Sequence, residues 1–288
     1  MFEGIITALV TPFKNGEVDY PSLKNLLKSQ LDQGIDGFVV HGTTAESPTT
    51  TDAEKEKIFQ FVKSEVAGQV PLIVGTGTNS TQDTIQRSQK AEKWGAKALL
   101  VVVPYYNKPP QRGLFEHFNK VANSVEIPTI LYNVPGRTIT SLELDTILSL
   151  SENKKIVGIK EATGDVEFGA KIISKVRRDF NVLSGDDKTC MALAAKGGKG
   201  VIAVVSHLIS GKMQDTYKRI KAGDAKALIE YEKYFPLIDS MYVEANPIPV
   251  KYALKKIGIL SSDEMRLPLV SISEEMKPKV DVQVKGFV

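Results

Sequence analysis

Cysteine is nearly absent from this 288-residue chain: Cys190 stands alone, so no disulfide can form within it. Histidine is scarce too, with His41, His117 and His207 far apart, which leaves few soft ligands for a transition metal. An excess of one charge is also missing. Thirty-seven basic residues against 34 acidic ones leave a net charge of +3, too small and too evenly spread to indicate a nucleic-acid or membrane-surface partner. No apolar run is long enough to span a bilayer. The start, Met1-Phe2-Glu3-Gly4, has neither the basic opening nor the long apolar stretch of a secretory leader. These absences describe a reduced, cytoplasmic protein without a structural metal. The composition itself, 42% hydrophobic and 25% charged, is ordinary for a soluble globular chain and excludes a disordered or collagenous one.

What is present is alternation. Short apolar runs predict eight strands: Ile5–Pro12, Gly37–Thr43, Pro71–Gly77, Ala98–Pro104, Thr129–Pro135, Ile156–Thr163, Asn181–Asp187 and Gly200–His207. Leu99-Leu100-Val101-Val102-Val103 is apolar without a period of two, as expected where both faces of a parallel strand are covered. Helix chemistry fills the gaps. Thr51 and Glu54 have capping-box spacing and open a run whose Ile58, Phe59, Val62 and Val66 share one face. Asn79-Ser80-Thr81 and Gly164-Asp165 open similar runs, and Gly34 and Gly95 stand where helices should stop. Eight strand–helix units without a linker predict a closed (β/α)8 TIM barrel. A doubly wound open sheet is the alternative, but the first strand ends Thr11-Pro12-Phe13, with no glycine-rich phosphate turn. Helical periodicity over 224–242 and 249–257 adds a C-terminal appendage, dividing the chain into a barrel at 1–223 and a helical extension at 224–288.

In such barrels reactive side chains gather at the C-terminal ends of the strands. The sixth strand, Ile156-Val157-Gly158-Ile159-Lys160-Glu161-Ala162, places a lysine in apolar surroundings, with Gly158 and Ile156 on its side by alternation. One reading pairs Lys160 with Glu161 or solvent; the other makes it an amine nucleophile. An ordinary lysine, with a pKa of about 10.4, is neutral at pH 7 roughly once in a few thousand molecules. A downward shift of about three units from burial raises that fraction about a thousandfold and makes Schiff-base formation practical. On the fifth strand Tyr132 nears the end and Arg137 follows in the loop. By default the first is an amphipathic core residue and the second a solvated cation. Beside a lysine they become a phenol that passes protons and a guanidinium that holds a carboxylate. After the second strand, Gly42-Thr43-Thr44-Ala45-Glu46-Ser47 offers N–H groups and hydroxyls to a carboxylate, or is simply a polar loop. After the fourth, Pro104-Tyr105-Tyr106-Asn107 presents two phenols, or a surface contact. His41 and His207 read as packing residues, His117 as a helix surface residue, Cys190 as buried and inert, and Asp186-Asp187 as a helix cap.

These motifs, together with Leu183-Ser184-Gly185-Asp186-Asp187 and Asn246-Pro247-Ile248-Pro249-Val250-Lys251, resemble the dihydrodipicolinate synthase family in order along nearly the whole chain. The family's usual Gly-Thr-Thr-Gly-Glu has Ala45 in place of its last glycine, so the backbone there must suit a Cβ. The resemblance implies condensation of pyruvate with L-aspartate-4-semialdehyde, on the diaminopimelate route to lysine. It implies that Lys160 forms the imine, which needs no metal or dissociable cofactor. Tyr132 then relays protons with Thr44 and with Tyr106, the last from a neighbouring subunit of a homotetramer built as a dimer of dimers. Thr43 and Thr44 hold the pyruvate carboxylate, Ile202 lines the pocket and Arg137 binds the semialdehyde's carboxylate. Positions matching the family's lysine-feedback site are Ser47, Pro48, Asp52, Lys55, Asn79, Asp83 and Tyr105. Sensitive members often carry histidine at the positions of Asp52 and Lys55, so the expectation is weak or absent inhibition. The competing readings are a sialic-acid or keto-deoxy-sugar-acid lyase, which Arg137 disfavours, and a catalytically silent barrel scaffold.

Overall fold

The structure, a computed structural model, describes residues 2–287. In chain order the strands are β1 (Gly4–Ala8), β2 (Phe13–Lys14), β3 (Glu17–Val18), β4 (Gly37–Val40), β5 (Leu72–Gly75), β6 (Ala98–Val102), β7 (Thr129–Asn133), β8 (Ile156–Glu161), β9 (Asn181–Ser184) and β10 (Gly200–Ala203). β1 and β4–β10 close a barrel of eight parallel strands, with β1 paired to both β4 and β10. The helices are α1 (Tyr20–Asp32), α2 (Asp52–Val66), α3 (Thr81–Trp94), α4 (Gln111–Asn123), α5 (Pro135–Thr138), α6 (Leu144–Ser151), α7 (Val166–Lys175), α8 (Cys190–Ala195) and α9 (Ser206–Lys221). Beyond the barrel follow α10 (Lys226–Tyr231), α11 (Phe235–Ser240), α12 (Ile248–Lys256) and α13 (Lys277–Val284). Among the described residues no helix is long and apolar enough to cross a membrane.

All eight expected barrel strands form, each shorter at its C-terminal end than the apolar run that announced it. The surplus apolar residues have a different job. Leu9 and Val10 after β1, and Val204 and Val205 after β10, pack outside the barrel among the helices. A smaller inner cluster, including Ile6, Val39, Leu100, Tyr132, Leu183 and Ile202, fills the barrel itself. The helix signals hold: Thr51 and Glu54 form the capping box of α2, Ser80 caps α3, and Gly95 ends α3 with φ of 95°.

Three features differ from expectation. β2 and β3 form a hairpin across Asn15-Gly16, whose positive φ values of 54° and 81° are those an Asn-Gly turn supplies. β8 carries an irregularity: Ile156 pairs with Thr129 but Gly158 pairs with Ile130. Alternation therefore breaks, and Ile156 packs in the outer cluster rather than on the side of Lys160. His117 is buried, not a surface residue. It lies on the stripe of α4 that buries Leu114, Phe118 and Val121, and its Nδ1 is 2.9 Å from Thr81 Oγ1.

Candidate active site

Tyr132 and Lys160 are register partners on β7 and β8, so both side chains leave the sheet on its inner face. Both are buried, and Lys160 Nζ lies 4.3 Å from the centroid of the Tyr132 ring. On the other flank Lys160 is paired with Leu183 of β9, and Ile202 belongs to the same inner cluster. Room for the lysine stem comes from Gly185, just past β9. A Cβ at that position would stand 2.8 Å from Lys160 Cε and 2.5 Å from the Cβ of Ala162.

Glu161 does not pair with Lys160, because strand alternation turns it to the opposite face. Its carboxylate accepts from Asn133 Nδ2 at 2.8 Å and from the Thr163 N–H at 2.7 Å. Burial pushes its pKa above the usual carboxylate value. Among the described residues the Lys160 ammonium therefore has no carboxylate and no hydrogen-bond acceptor within reach, only an aromatic face. A buried amine in that setting is available for bond formation.

The turn after β4 is built by two left-handed residues, His41 at φ 59° and Glu46 at φ 54°, flanking a 3₁₀ turn over Thr43–Ala45. Ala45 sits inside that turn without a positive φ, so its Cβ costs no backbone strain. Thr44 is buried, and its hydroxyl accepts from Asn246 Nδ2 at 3.0 Å; Thr43 is half-buried. Asn246 also offers its backbone carbonyl to Arg137 Nη2 at 3.3 Å, which ties the β4 turn to the loop after β7. Its Oδ1 is buried and unpaired among the described residues.

Glu46 anchors this turn from below. Its Oε1 accepts from Lys251 Nζ of α12 at 2.7 Å, with both side chains fully inside the protein. Its Oε2 accepts from the Arg266 N–H at 3.0 Å. Arg266 in turn grips Glu54 through two hydrogen bonds, 2.6 and 2.9 Å, which holds the Glu54 carboxyl down at about 2. The C-terminal extension thus clamps the mouth of the barrel. Neither the partnership of Glu46 with Lys251 nor the bridge through Asn246 is among the sequence expectations. The only signal was that all three residues lie within the quoted motifs.

A second clamp joins the ends of β9 and β10. The buried carboxylate of Asp187 accepts from the N–H groups of Val204 and Val205 and from the Tyr242 hydroxyl. Burial raises its pKa to about 6. Contrary to expectation, neither aspartate caps a helix: α8 starts after Thr189 without a side-chain cap, and Asp186 Oδ1 accepts from the N–H and the hydroxyl of Thr189, both at 2.8 Å, in the turn before it. Cys190 is buried with its thiol pushed up by burial, as an inert sulfur should be. His41 and His207 are buried, as expected of packing residues. Among the described residues no three His, Cys, Asp or Glu side chains converge as a metal site requires.

Tyr106 stands apart from this constellation. It is 90% exposed, has φ of 74°, and its hydroxyl makes no hydrogen bond among the described residues. The loop that carries it is pinned by Asn107 Nδ2 on the carbonyl of Asn79 at 2.8 Å. Of the remaining candidates, Asp52 pairs with Lys90 at 2.7 Å, Lys55 is buried, Asp83 lies in the first turn of α3, Tyr105 and Pro48 are exposed, and Ser47 is half-buried.

The chain matches the dihydrodipicolinate synthetase family over residues 1–286. It is 54% identical over 285 residues to a 4-hydroxy-tetrahydrodipicolinate synthase of Bdellovibrio bacteriovorus, covering 99% of this chain and 97% of that one. A protein of the same name from Coxiella burnetii is 45% identical over 282 residues, covering 97% and 96%. Among solved structures, dihydrodipicolinate synthase from Thermotoga maritima superposes with a TM-score of 0.97 at 41% identity, with all of both chains covered.

Proposed function

The chain belongs to the dihydrodipicolinate synthetase family, and on that premise we propose how its own residues divide the work of the reaction. That reaction is the condensation of pyruvate with L-aspartate-4-semialdehyde to 4-hydroxy-tetrahydrodipicolinate, through a lysine Schiff base on the diaminopimelate route to lysine. Pyruvate is carried covalently, so no dissociable cofactor takes part. The name shared by the relatives favours this reaction over the sugar-acid lyase and the silent scaffold.

Lys160 is the nucleophile. Its neutral amine adds to the pyruvate ketone, and loss of water leaves a cationic imine that acidifies the adjacent methyl group. A proton leaves that carbon, and the resulting enamine attacks the semialdehyde carbonyl. The substrate's own amine then adds to the imine carbon, closes the ring and expels Lys160. Tyr132, its ring against the lysine, moves the protons of these steps in a relay with Thr44 and Tyr106. Thr43 and Thr44 hold the pyruvate carboxylate, supported by Asn246 on the Thr44 hydroxyl. Arg137 receives the carboxylate of the semialdehyde, and Ile202 closes the apolar side of the pocket.

The observation that carries this assignment is a buried lysine at the mouth of the barrel with an aromatic face and no carboxylate beside it. Borohydride reduction in the presence of pyruvate tests it: a stable adduct should form on Lys160 alone. An unmodified Lys160, or an adduct on another lysine, overturns the assignment.

Tyr106 supports a homotetramer of tight dimers, since an aromatic residue held in solvent at a left-handed backbone angle suits insertion into a neighbour's active site. The lone buried thiol suits the cytoplasm. The functional division is a catalytic barrel over 1–223 and an extension over 224–288 that completes its mouth. We also infer that feedback by lysine is weak or absent. Of Ser47, Pro48, Asp52, Lys55, Asn79, Asp83 and Tyr105, Lys55 presents a second ammonium to the inhibitor and Asp52 is engaged by Lys90. A micromolar inhibition constant for lysine in a coupled assay contradicts this.

A further inference from the structure

Outside the barrel mouth, α2, α3 and the ends of β4 and β5 enclose a cavity of about 20 Å³ lined by His41, Asp52, Lys55, Arg87, Lys90 and Trp94, among others. Asp52, Lys90 and Trp94 also line a wider recess of about 410 Å³, so the two spaces adjoin. The cavity brings three cations together against one carboxylate, and that carboxylate, on Asp52, is already bound to Lys90 at 2.7 Å. Lys55 is 7% exposed, and among the described residues its ammonium makes neither a hydrogen bond nor an ion pair. Arg87, half-buried, is without either as well. Burying a charge without a partner is costly, so this arrangement is incomplete as it stands. Burial pushes the Lys55 ammonium below its ordinary pKa, and Arg87 adds to the push.

His41 supplies an independent sign of a ligand. Its ring is buried, and Nε2 lies 2.9 Å from the carbonyl oxygen of Lys55, so Nε2 carries the proton and Nδ1 is an acceptor. That Nδ1 is buried without a partner among the described residues. The lining therefore asks for one group that is anionic toward Lys55 and Arg87 and also carries a proton to give. Sulfate and chloride carry no such proton at neutral pH; a phosphate group does.

We propose that this cavity binds a phosphate group through a single protonated oxygen, set between Lys55 and Arg87 and donating its proton to His41 Nδ1, which lacks a donor. The cavity has room for about one water-sized group, hence for one phosphate oxygen, and the recess takes the rest of the ligand. Arginine's fork and a lysine point charge are the usual partners of such an oxyanion.

Thermal unfolding and titration calorimetry on the intact protein test this, with inorganic phosphate, glycerol phosphate, sulfate and chloride at matched ionic strength. Both phosphates should stabilise saturably, and sulfate at least tenfold more weakly. Tighter binding of the ester assigns the recess to an organic body, and tighter binding of inorganic phosphate assigns the site to the free ion. Lys55→Gln and Arg87→Gln should each weaken phosphate at least tenfold. Lys55→Gln removes an unpaired charge and so should leave the fold intact. Equal shifts from all four anions, or an undiminished phosphate response in both variants, overturn the proposal.

Discussion

Lys160 and Lys251 are both buried lysines, yet they have opposite surroundings. Lys251 has no exposed surface; its ammonium meets Glu46 at 2.7 Å and also donates to the carbonyl of Glu264. Lys160 has only the ring of Tyr132 at 4.3 Å and aliphatic neighbours. Lys251 Nζ is tied to a carboxylate and a carbonyl, whereas Lys160 Nζ has no such partner to leave before it meets a carbonyl. The barrel therefore uses the same residue type twice, once as a bolt and once as a reagent, and the neighbours decide which. Around Lys251, burial pulls the pKa down while Glu46 pulls it up.

The largest expected effect separates the two. Lys160→Met should reduce synthesis to background yet leave denaturant stability within about 1 kcal/mol of the parent, because a similar volume replaces a group with no partner to strand. Steady-state assay and urea unfolding of one preparation check both halves. A large loss of stability would mean that Lys160 is also structural.

Lys251→Met should do the reverse. It leaves the Glu46 carboxylate buried without its cation, at a cost of about 3–5 kcal/mol. Adding Glu46→Gln should recover most of the loss, since the stranded charge is then gone. The urea midpoints of the single and double variants measure this. A single variant as stable as the parent would dissolve the contrast between the two lysines.

Sequence carried the reagent more clearly than the bolt, for a physical reason. Strand ends and alternation are local, so Lys160, Tyr132 and Arg137 could be placed from their own neighbours in the chain. Glu46 and Lys251 are 205 positions apart, and only closure of the barrel and return of α12 brings them together. Asn246 is similar: its two ligations, to Thr44 and to Arg137, span separations of 202 and 109 positions. Ile156 was misplaced because an irregular register inserts a step that alternation cannot foresee. His117 was a different failure, since its spacing from Leu114, Phe118 and Val121 already put it on the apolar stripe.

Buried histidines extend the comparison to nitrogen bases that are neutral but perform no chemistry. Burial holds His41, His117 and His207 down at about 4, against about 6.5 in an unfolded chain. Between those values the unfolded state binds protons that the folded state refuses. Stability is therefore full above about pH 6.5 and is lost as pH falls toward 4, by about 3 kcal/mol for each histidine. Asp187 opposes them. With its pKa raised to about 6, it binds a proton in the fold before it does so unfolded, and one such group offsets about one histidine. The net expectation is a urea midpoint that falls steadily from pH 7 to pH 5. A flat profile would place water or a hydrogen-bond acceptor beside the histidines, stabilising their charged form.

Gly185→Ala is the finest test, because it leaves Lys160 unchanged and alters only the space around its stem. The added methyl would meet Lys160 Cε at 2.8 Å and the Cβ of Ala162 at 2.5 Å. Ala162, just past β8, carries its Cβ on the backbone, so the 2.5 Å contact is relieved only by a small backbone shift, while the flexible lysine chain gives way at the 2.8 Å one. Overpacking of this kind costs about 1–3 kcal/mol. A displacement of about 1 Å in a reacting atom lowers rates by on the order of 10²-fold. If Lys160 acts through its position against Tyr132, imine formation measured by rapid borohydride quench should slow by about that factor, while the Lys251–Glu46 bolt keeps the protein folded. A rate equal to the parent's would show that the amine finds its substrate without that fixed stem, and would leave burial alone to distinguish the reagent from the bolt.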